Sequence, residues 1–204
     1  MKKWIFLIIG VMIMSCEKEI EVGVISTQFG DMIVEFYEES APKHVESFKL
    51  HTQNGYFDST TFHRVIPGFM IQGGDPNSKD DDRSNDGIGG NAAKYFGIGQ
   101  EDHSETWMIP AEFSDSLSHL RGTLSMARSS DPNSAGSQFF ICVGEPSWLD
   151  GQYTIFGKVI QGVDIIDRIV SVPRDRRDNP FEKVEMTVKI VPKSDVVKKV
   201  ESQK

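Results

Sequence analysis

The stretch FHRVIPGFMIQGGD, at residues 62–75, carries the pattern that decides the fold. Apolar runs at residues 61–66 and 69–72 have the length of β-strands, and Pro67 and Gly68 separate them. Similar runs recur downstream with Gly, Pro, Asn and Asp between them, at residues 123–127, 138–143, 153–159 and 183–191. Upstream, alternation around residues 22–24 and 32–37 flanks turn residues 27–31 and predicts a β-hairpin. The sequence therefore predicts a mainly β domain.

Two helices are expected among these strands. Ser40 is a candidate N-cap with Pro42 in the first turn, and Gly55 closes the first helical region. A second short helix is predicted after Gly162. Helical spacing is carried by Ala41, Val45 and Phe48 in the first helix, and by Val163, Ile166, Ile169 and Val170 in the second. Many short strands with two helices are typical of a barrel.

The amino-acid composition and net charge exclude some classes of function. The chain has 204 residues, of which 38% are hydrophobic and 25% are charged, as in an ordinary globular protein. Its formal charge of -8 repels phosphate backbones, and no stripe of Lys and Arg offsets that charge, so we expect no nucleic-acid binding. Residues 193–204 are polar and predict a solvated C-terminal tail.

The interval 76–121 predicts long loop structure, because Asp, Ser, Asn and Gly dominate it. Acidic residues at its start invite a calcium hypothesis, but they lack the glycine and terminal Glu of a calcium loop, and a solvated acidic loop is favoured. The five histidines lack the spacing of zinc ligands. Neither a nucleophile elbow at Ser134 nor a phosphate-binding loop before Lys158 is complete. We predict no metal and no cofactor.

The N-terminus predicts export and lipid attachment. Lys2 and Lys3 precede an apolar run at residues 4–14 that is too short to span a bilayer, as in a secretory signal. The run ends in IMSC, residues 13–16, which resembles a bacterial lipobox and implies cleavage and lipidation at Cys16. An ordinary signal with an incidental cysteine is the alternative. We expect a signal peptide at 1–15, a lipidated linker at 16–20, a folded domain at 21–192 and a tail at 193–204, attached to a membrane of the cell envelope.

Three segments carry a family resemblance: residues 62–75, residues 122–141 with GTLSMAR and PNSAGSQFFI, and residues 148–159 with WLDGQYTIFGKV. Together they resemble the cyclophilin family over roughly residues 22–191. The resemblance implies an eight-stranded antiparallel β-barrel capped by two α-helices. It also implies peptidyl-prolyl cis-trans isomerase activity on unfolded or extended protein segments. A cyclophilin-fold binding or chaperone module with little turnover is the alternative, because fold alone does not fix function.

The resemblance also assigns roles within a peptide groove. Arg64 is the catalytic side chain, because a guanidinium stays protonated and holds a fixed direction. Phe140 points into the groove, whereas its neighbour Phe139 points into the barrel, because adjacent strand residues face opposite sides. The remaining groove residues are His63, Phe69, Met70, Gln72, Ala127, Arg128, Gln138, Trp148, Leu149 and Tyr153. Apolar members would hold proline, and Gln72 would also steady Arg64.

Two groove positions depart from the family pattern. Many members carry Asn in place of Arg128 and His in place of Tyr153, so the preference for flanking residues is expected to differ. Trp148 matches the residue that binds cyclic undecapeptide inhibitors in the family, and the two departures leave the strength of such binding open. We expect a monomer that acts on proline-containing polypeptide clients.

Overall fold

The computed structural model describes residues 19–196, and these residues form one antiparallel sheet with two helices. The strands are β1 (Glu21–Thr27), β2 (Gly30–Phe36), β3 (Thr60–Thr61), β4 (Arg64–Ile66), β5 (Met70–Gly73), β6 (Thr123–Met126), β7 (Phe139–Cys142), β8 (Ile155–Gln161) and β9 (Glu185–Pro192). Their order across the sheet is β3-β9-β1-β2-β8-β6-β7-β5-β4. The predicted mainly β class and the N-terminal hairpin are confirmed.

A very short segment of the chain connects the two edge strands of the sheet. Strands β3 and β4 lie at opposite edges, yet Phe62 and His63 alone connect them. The sheet must therefore curl until its two edges lie close together, as in a barrel, although β3 and β4 do not pair with each other. The amide of Phe62 donates to the carbonyl of Val184 at 2.9 Å as the chain crosses. The strand predicted at 61–66 is consequently two short strands, which makes nine strands where eight were expected.

Helices α1 (Pro42–Gln53) and α2 (Val163–Val170) lie where the sequence predicted them. The expected cap at Ser40 is wrong, because Ala41 occupies the N-cap and no side chain of the cap residue bonds to the helix. Glu112 replaces it: its carboxylate accepts hydrogen bonds of 3.1 Å from the amides of Lys43 and His44. A carboxylate at this position also favours the helix dipole. A residue from the long loop thus completes the helix.

The interior of the curled sheet is an apolar core centred on Phe48 of α1. Its ring centroid lies 4.9–5.7 Å from those of Phe36, Phe57, Phe139 and Phe156. One row of cross-strand partners points into this core, formed by Val65, Ile71, Ile141 and Leu124. All four side chains of that row are fully buried. This row fixes the strand register, because a shift by one residue would turn it outwards.

The long segment 76–121 is organised without a strand of its own among the described residues. It contains two 3₁₀ helices, Pro76–Lys79 and Ser104–Thr106, and an isolated bridge between Ile109 and Ala135. Buried Asp75 anchors its start by accepting hydrogen bonds from the amides of Asn77, Gly87 and Gly89. Asp75, which directly precedes this segment, is one of several acidic residues that invited the calcium hypothesis, and its carboxylate is used to hold the loop.

The predicted C-terminal tail begins with a docked residue. The amide of Lys193 donates to the carbonyl of Ile20 at 2.8 Å, and its ammonium pairs with Glu35 at 3.0 Å. The predicted signal peptide at residues 1–15 and the predicted lipidation site Cys16 lie outside the described residues, as do residues 197–204. Within residues 19–196, no helix combines the length and the apolar character that crossing a membrane requires.

Candidate active site

A row of side chains on the outer face of the sheet carries the predicted catalytic group. Arg64 on β4 lies opposite Gln72 on β5, and Gln72 lies opposite Phe140 on β7. Directly opposed residues of antiparallel strands share one face. The register therefore aligns the guanidinium, the amide and the aromatic ring across three strands. Arg64 is exposed, so its charge remains hydrated at the edge of this row.

Beside this row lies a second apolar cluster, separate from the barrel core. This outer cluster consists of Met70, Phe140, Cys142 and Leu149, each no more than 8% exposed. Partly buried side chains pack against it, among them Ile66, Phe69, Ala127 and Tyr153. Trp148 is 64% exposed and its ring lies 5.8 Å from that of Phe69. The structure thus brings the residues predicted to hold proline into one apolar cluster on the outer face with an aromatic rim, and we call the surface of this cluster the slot.

Hydrogen bonds connect Arg64 to the neighbouring loop. The guanidinium donates to Oε1 of Gln72 at 3.4 Å, and Nε2 of Gln72 donates to Oε1 of Gln138 at 2.8 Å. Gln138 in turn donates to the carbonyl of Gly89 at 2.7 Å. The two glutamine side chains are held in fixed orientations by this chain. Arg64 makes no ion pair among the described residues, so its remaining N–H groups can serve a ligand.

The two positions that depart from the expected pattern contact each other. The guanidinium of Arg128 lies 4.4 Å from the ring centroid of Tyr153, which is a cation–π contact. Arg128 also donates to the carbonyl of Gln152 through Nε at 3.1 Å and Nη2 at 2.9 Å. The Tyr153 ring meets that of Phe140 edge-on at 6.0 Å. Arg128 and Tyr153 therefore form a joined wall on one side of the slot.

Gln72 lines two cavities. One, of about 400 Å³, is lined by Ala127, Gln138 and the glycine-rich residues 87–90. The amide of Ala127 is already used, because it donates to the carbonyl of Gln138 at 2.9 Å. The other cavity, of about 230 Å³, is lined by Arg64 and His63. His63 is only 4% exposed, so it lies in the wall of this second cavity and not in the open groove.

The family follows from comparison with known proteins. A family model described as "Cyclophilin type peptidyl-prolyl cis-trans isomerase/CLD" matches residues 22–190. The chain belongs to the cyclophilin family. A peptidyl-prolyl cis-trans isomerase of Arabidopsis thaliana is 42% identical over 172 residues, which are 84% of this cyclophilin and 24% of the plant protein. A probable peptidyl-prolyl cis-trans isomerase of Brucella abortus is 41% identical over 146 residues, covering 72% of this chain and 69% of that protein.

A solved structure shows the same architecture. A cyclophilin-type peptidyl-prolyl cis-trans isomerase of Cryptosporidium parvum, crystallised in the presence of the dipeptide Ala-Pro, matches with a TM-score of 0.71 and 32% sequence identity. The match covers 84% of this cyclophilin and 98% of that chain. By contrast, this chain spans about a quarter of the length of the plant relative and of a fission-yeast relative.

Sequence reasoning missed a polar support beneath Phe140. The His119 ring stacks on that of Phe140 with centroids 6.0 Å apart and planes 12° apart. Its Nδ1 lies 2.8 Å from Oδ1 of Asp150, and its Nε2 lies 3.1 Å from Oγ of Ser125. Burial lowers the pKa of His119, and the hydrogen bond and charge of Asp150 oppose that shift. Asp150 lies 31 residues from His119 and Ser125 lies six residues from it, and together they match no local motif.

Cys142 is part of the outer cluster and is chemically protected there. Its side chain is fully buried, and burial raises the pKa of the thiol to about 12, with a further contribution from Asp150. A thiol with such a pKa is almost entirely protonated at neutral pH, and the thiolate is the reactive form. Cys142 therefore acts as a small apolar side chain beneath the slot.

Proposed function

We propose that this cyclophilin catalyses cis–trans isomerisation of X-Pro peptide bonds in unfolded or extended protein segments. The observation that carries this proposal is the aligned row of Arg64, Gln72 and Phe140 beside the outer cluster. It places a permanent positive hydrogen-bond donor next to an apolar slot. The names of the relatives and the Ala-Pro dipeptide of the C. parvum crystal support the same activity.

The reaction needs a donor, not a base. Resonance between the proline nitrogen and the preceding carbonyl gives the C–N bond double-bond character, with a barrier of about 20 kcal/mol. A twisted amide loses that resonance, and its nitrogen lone pair becomes a hydrogen-bond acceptor. A guanidinium N–H of Arg64 aimed at this nitrogen stabilises the twisted state more than either planar isomer. Such differential stabilisation accelerates the rotation, and no proton is transferred.

The apolar slot contributes in a different way. The proline ring would pack on Phe140, Met70 and Leu149 in every state of the reaction, because the ring itself changes little as the bond rotates. Contact of this kind contributes about 1.5–3 kcal/mol when an apolar group of this size is fully buried, and less in a shallow slot. It holds the substrate without favouring one isomer. The slot therefore affects substrate affinity, whereas Arg64 affects the rate of rotation.

A proline-binding module with little turnover is the second candidate, and one measurement separates the two. Full-length protein in detergent is added to a peptide with a single X-Pro bond, and relaxation to the trans isomer is followed by protease-coupled absorbance. We expect the relaxation rate to rise in proportion to protein concentration. A protein that binds the peptide but leaves its relaxation rate unchanged would establish the binding module instead.

We also propose that the protein is a lipoprotein of the cell envelope, in the periplasm or at the surface. The basic residues Lys2 and Lys3, the apolar run 4–14 and the lipobox-like residues 13–16 support this location. Cells producing the wild type or Cys16→Ser are labelled with a radioactive fatty acid and fractionated. We expect the label and the membrane association to disappear in the variant. Equal labelling of both proteins would refute Cys16 as the attachment site.

A further inference from the structure

The cavity of about 230 Å³ beside Arg64 has a basic lining in an acidic protein. We call it the arginine cavity; the residues of its lining that matter here are His63, Arg64, Arg83, Asp86, Arg177 and Asn179. Three guanidinium groups and a single carboxylate line it, although the whole chain has a formal charge of -8. Because Arg64 belongs both to this cavity and to the catalytic row, whatever binds there lies next to the reacting bond.

The basic groups of the cavity are held in place before any ligand arrives. Arg83 pairs with Asp175 at 3.1 Å and donates to the carbonyl of Asn179 at 2.9 Å. Arg177 donates to the carbonyl of Arg83 at 2.8 Å. The other carboxylate oxygen of Asp175 accepts from the amides of Arg177 and Asn179, which fixes the turn that carries Arg177. Preorganised donors of this kind lose little entropy on binding.

Charge remains available for a ligand in this cavity. Arg83 is neutralised by Asp175, but neither Arg64 nor Arg177 forms an ion pair with any described residue. Planar guanidinium groups match the geometry of a carboxylate, which accepts two parallel hydrogen bonds. One opposing charge, Asp86, is held against the wall by Asn179, whose amide donates to it at 2.6 Å. The residues of the lining therefore carry a net positive charge, although Asp82 and Asp175 outside the lining also attract Arg177.

Buried polar atoms in the wall also lack partners. Neither ring nitrogen of His63 makes a hydrogen bond of good geometry to a described residue, and Oδ1 of Asp86 is likewise buried without one. Such groups carry a desolvation cost that a polar ligand or a water molecule relieves. A carboxylate-bearing side chain would accept hydrogen bonds from the ring N–H of His63 and from the arginines, whereas Oδ1 of Asp86 needs a donor such as water. An apolar side chain would leave these groups unsatisfied.

We propose that the arginine cavity is a subsite for an acidic side chain, Asp or Glu, of the client polypeptide, lying on the Arg64 side of the proline. The inference rests on the proposed isomerase function and adds a substrate preference to it. Arg83 comes from the long loop, and Arg177 comes from the turn before β9. Neither residue lies in the three segments that carry the family resemblance. The subsite is thus a property of this chain's loops.

The test compares matched peptides. A single Glu, Gln or Lys is placed in turn at each of the two positions before and the two positions after proline, and kcat/KM is measured with full-length protein in detergent. At one flanking position we expect the Glu peptide to exceed the Gln peptide by about five- to tenfold, with Lys below Gln. The preference should shrink as salt rises from 50 to 500 mM, because charges near the surface are screened.

Four variants locate the effect. Arg177→Gln should reduce the Glu-to-Gln ratio to nearly one, and Arg177→Lys should retain much of it. Asp86→Asn should increase the ratio, because the opposing charge is lost while an acceptor for Asn179 remains. The matched control is Arg176→Gln, which removes the same charge from an exposed neighbour outside the cavity lining and should change the ratio by less than about twofold.

Two results would overturn the subsite. One is a Glu-to-Gln ratio of kcat/KM within twofold of one at all four positions. The other is an equal decrease of that ratio in Arg176→Gln and Arg177→Gln, which would indicate long-range attraction by the protein's charge and not a specific subsite. Peptide affinities measured by fluorescence anisotropy keep this test separate from the isomerase proposal. Preferential binding of the Glu peptide without turnover of any peptide would refute the isomerase and leave the subsite standing.

Discussion

Phe139 and Phe140 are neighbours on β7, but they serve two different apolar clusters. Phe139 packs edge-on against Phe48 and Phe57 inside the barrel. Phe140 points outwards, where it packs between His119 and Tyr153. Both side chains are at least 96% buried, so burial alone does not distinguish them. The comparison teaches that the two faces of one strand can serve different purposes, with stability on the inner side and the proposed substrate binding on the outer side.

The largest effect is expected on the inner face. Phe139→Ala leaves a void among the aromatic rings around Phe48, and such truncations cost about 3–5 kcal/mol of unfolding free energy. The protein that remains folded should bind proline peptides with nearly normal affinity. Urea denaturation and peptide titration of the same preparation would check this. A stable Phe139→Ala protein that no longer binds peptide would reverse the assignment of the two faces.

On the outer face, Phe140→Ala should act mainly on substrate affinity. Loss of the slot floor removes contact with the proline ring in the ground state and in the twisted state alike. We expect KM to rise by up to about tenfold to a hundredfold, with a much smaller change in kcat. Steady-state kinetics with a series of peptide concentrations would separate the two constants. A fall in kcat at unchanged KM would show that the ring acts during rotation.

A smaller effect is expected from the polar support of the slot. His119→Gln removes the ring that stacks on Phe140 and loosens its hydrogen bonds to Asp150 and Ser125. Stability should fall by about 1–3 kcal/mol, and KM should rise severalfold while kcat is nearly constant. His103→Gln is the matched control, because the side chain of His103 is 52% exposed and far in sequence from the slot. Equal kinetic changes in both variants would refute a positioning role for His119.

The smallest expected effect is a loss of folding stability at mildly acidic pH, caused by buried histidines. Burial lowers the pKa of His51, His63 and His119 below the usual value of about 6.5. Just below pH 6.5 the unfolded chain therefore binds more protons than the folded chain, and stability falls as the pH decreases. The slope is at most about 1.4 kcal/mol per pH unit for each such histidine.

Urea denaturation at pH 7.5 and 5.5 would measure this loss, and His51→Gln should make it smaller. The isomerisation rate should stay nearly flat between about pH 6 and 9, because rotation needs no proton transfer. A bell-shaped rate profile within that range would contradict the donor mechanism and direct attention to His63.

The sequence predicted most of what lies on contiguous strands. Strand geometry alone placed the adjacent side chains of Phe139 and Phe140 on opposite faces, and the family resemblance then assigned Phe140 to the outer face. The helix cap was mispredicted because its carboxylate, Glu112, is about 70 residues away from the helix start. The contact between His119 and Asp150 was missed for a similar reason, because 31 residues separate them; Ser125 is only six residues from His119, but no local motif links the two. The arginine cavity likewise combines a loop residue, Arg83, with a distant turn residue, Arg177.

The predicted number of strands was wrong for a topological reason. Residues 61–66 read as one apolar run, yet the chain leaves one edge of the sheet after Thr61 and joins the other edge at Arg64. Hydropathy does not record which neighbour a strand pairs with. The same crossing positions Arg64 at the start of β4. The break between β3 and β4, which the sequence did not predict, therefore helps to place the candidate catalytic residue.

The central claim is that Arg64 catalyses rotation about the X-Pro bond, whereas the slot binds the proline ring. Two-dimensional exchange NMR tests this claim directly. An Ala-Pro-containing peptide is mixed with wild type, Arg64→Ala or the exposed-charge control Arg176→Ala, and cis–trans exchange and affinity are measured in the same tube. We expect Arg64→Ala to bind within a fewfold of wild type but to exchange about 100- to 1000-fold more slowly, while Arg176→Ala matches wild type. Exchange at the wild-type rate in Arg64→Ala would contradict the account.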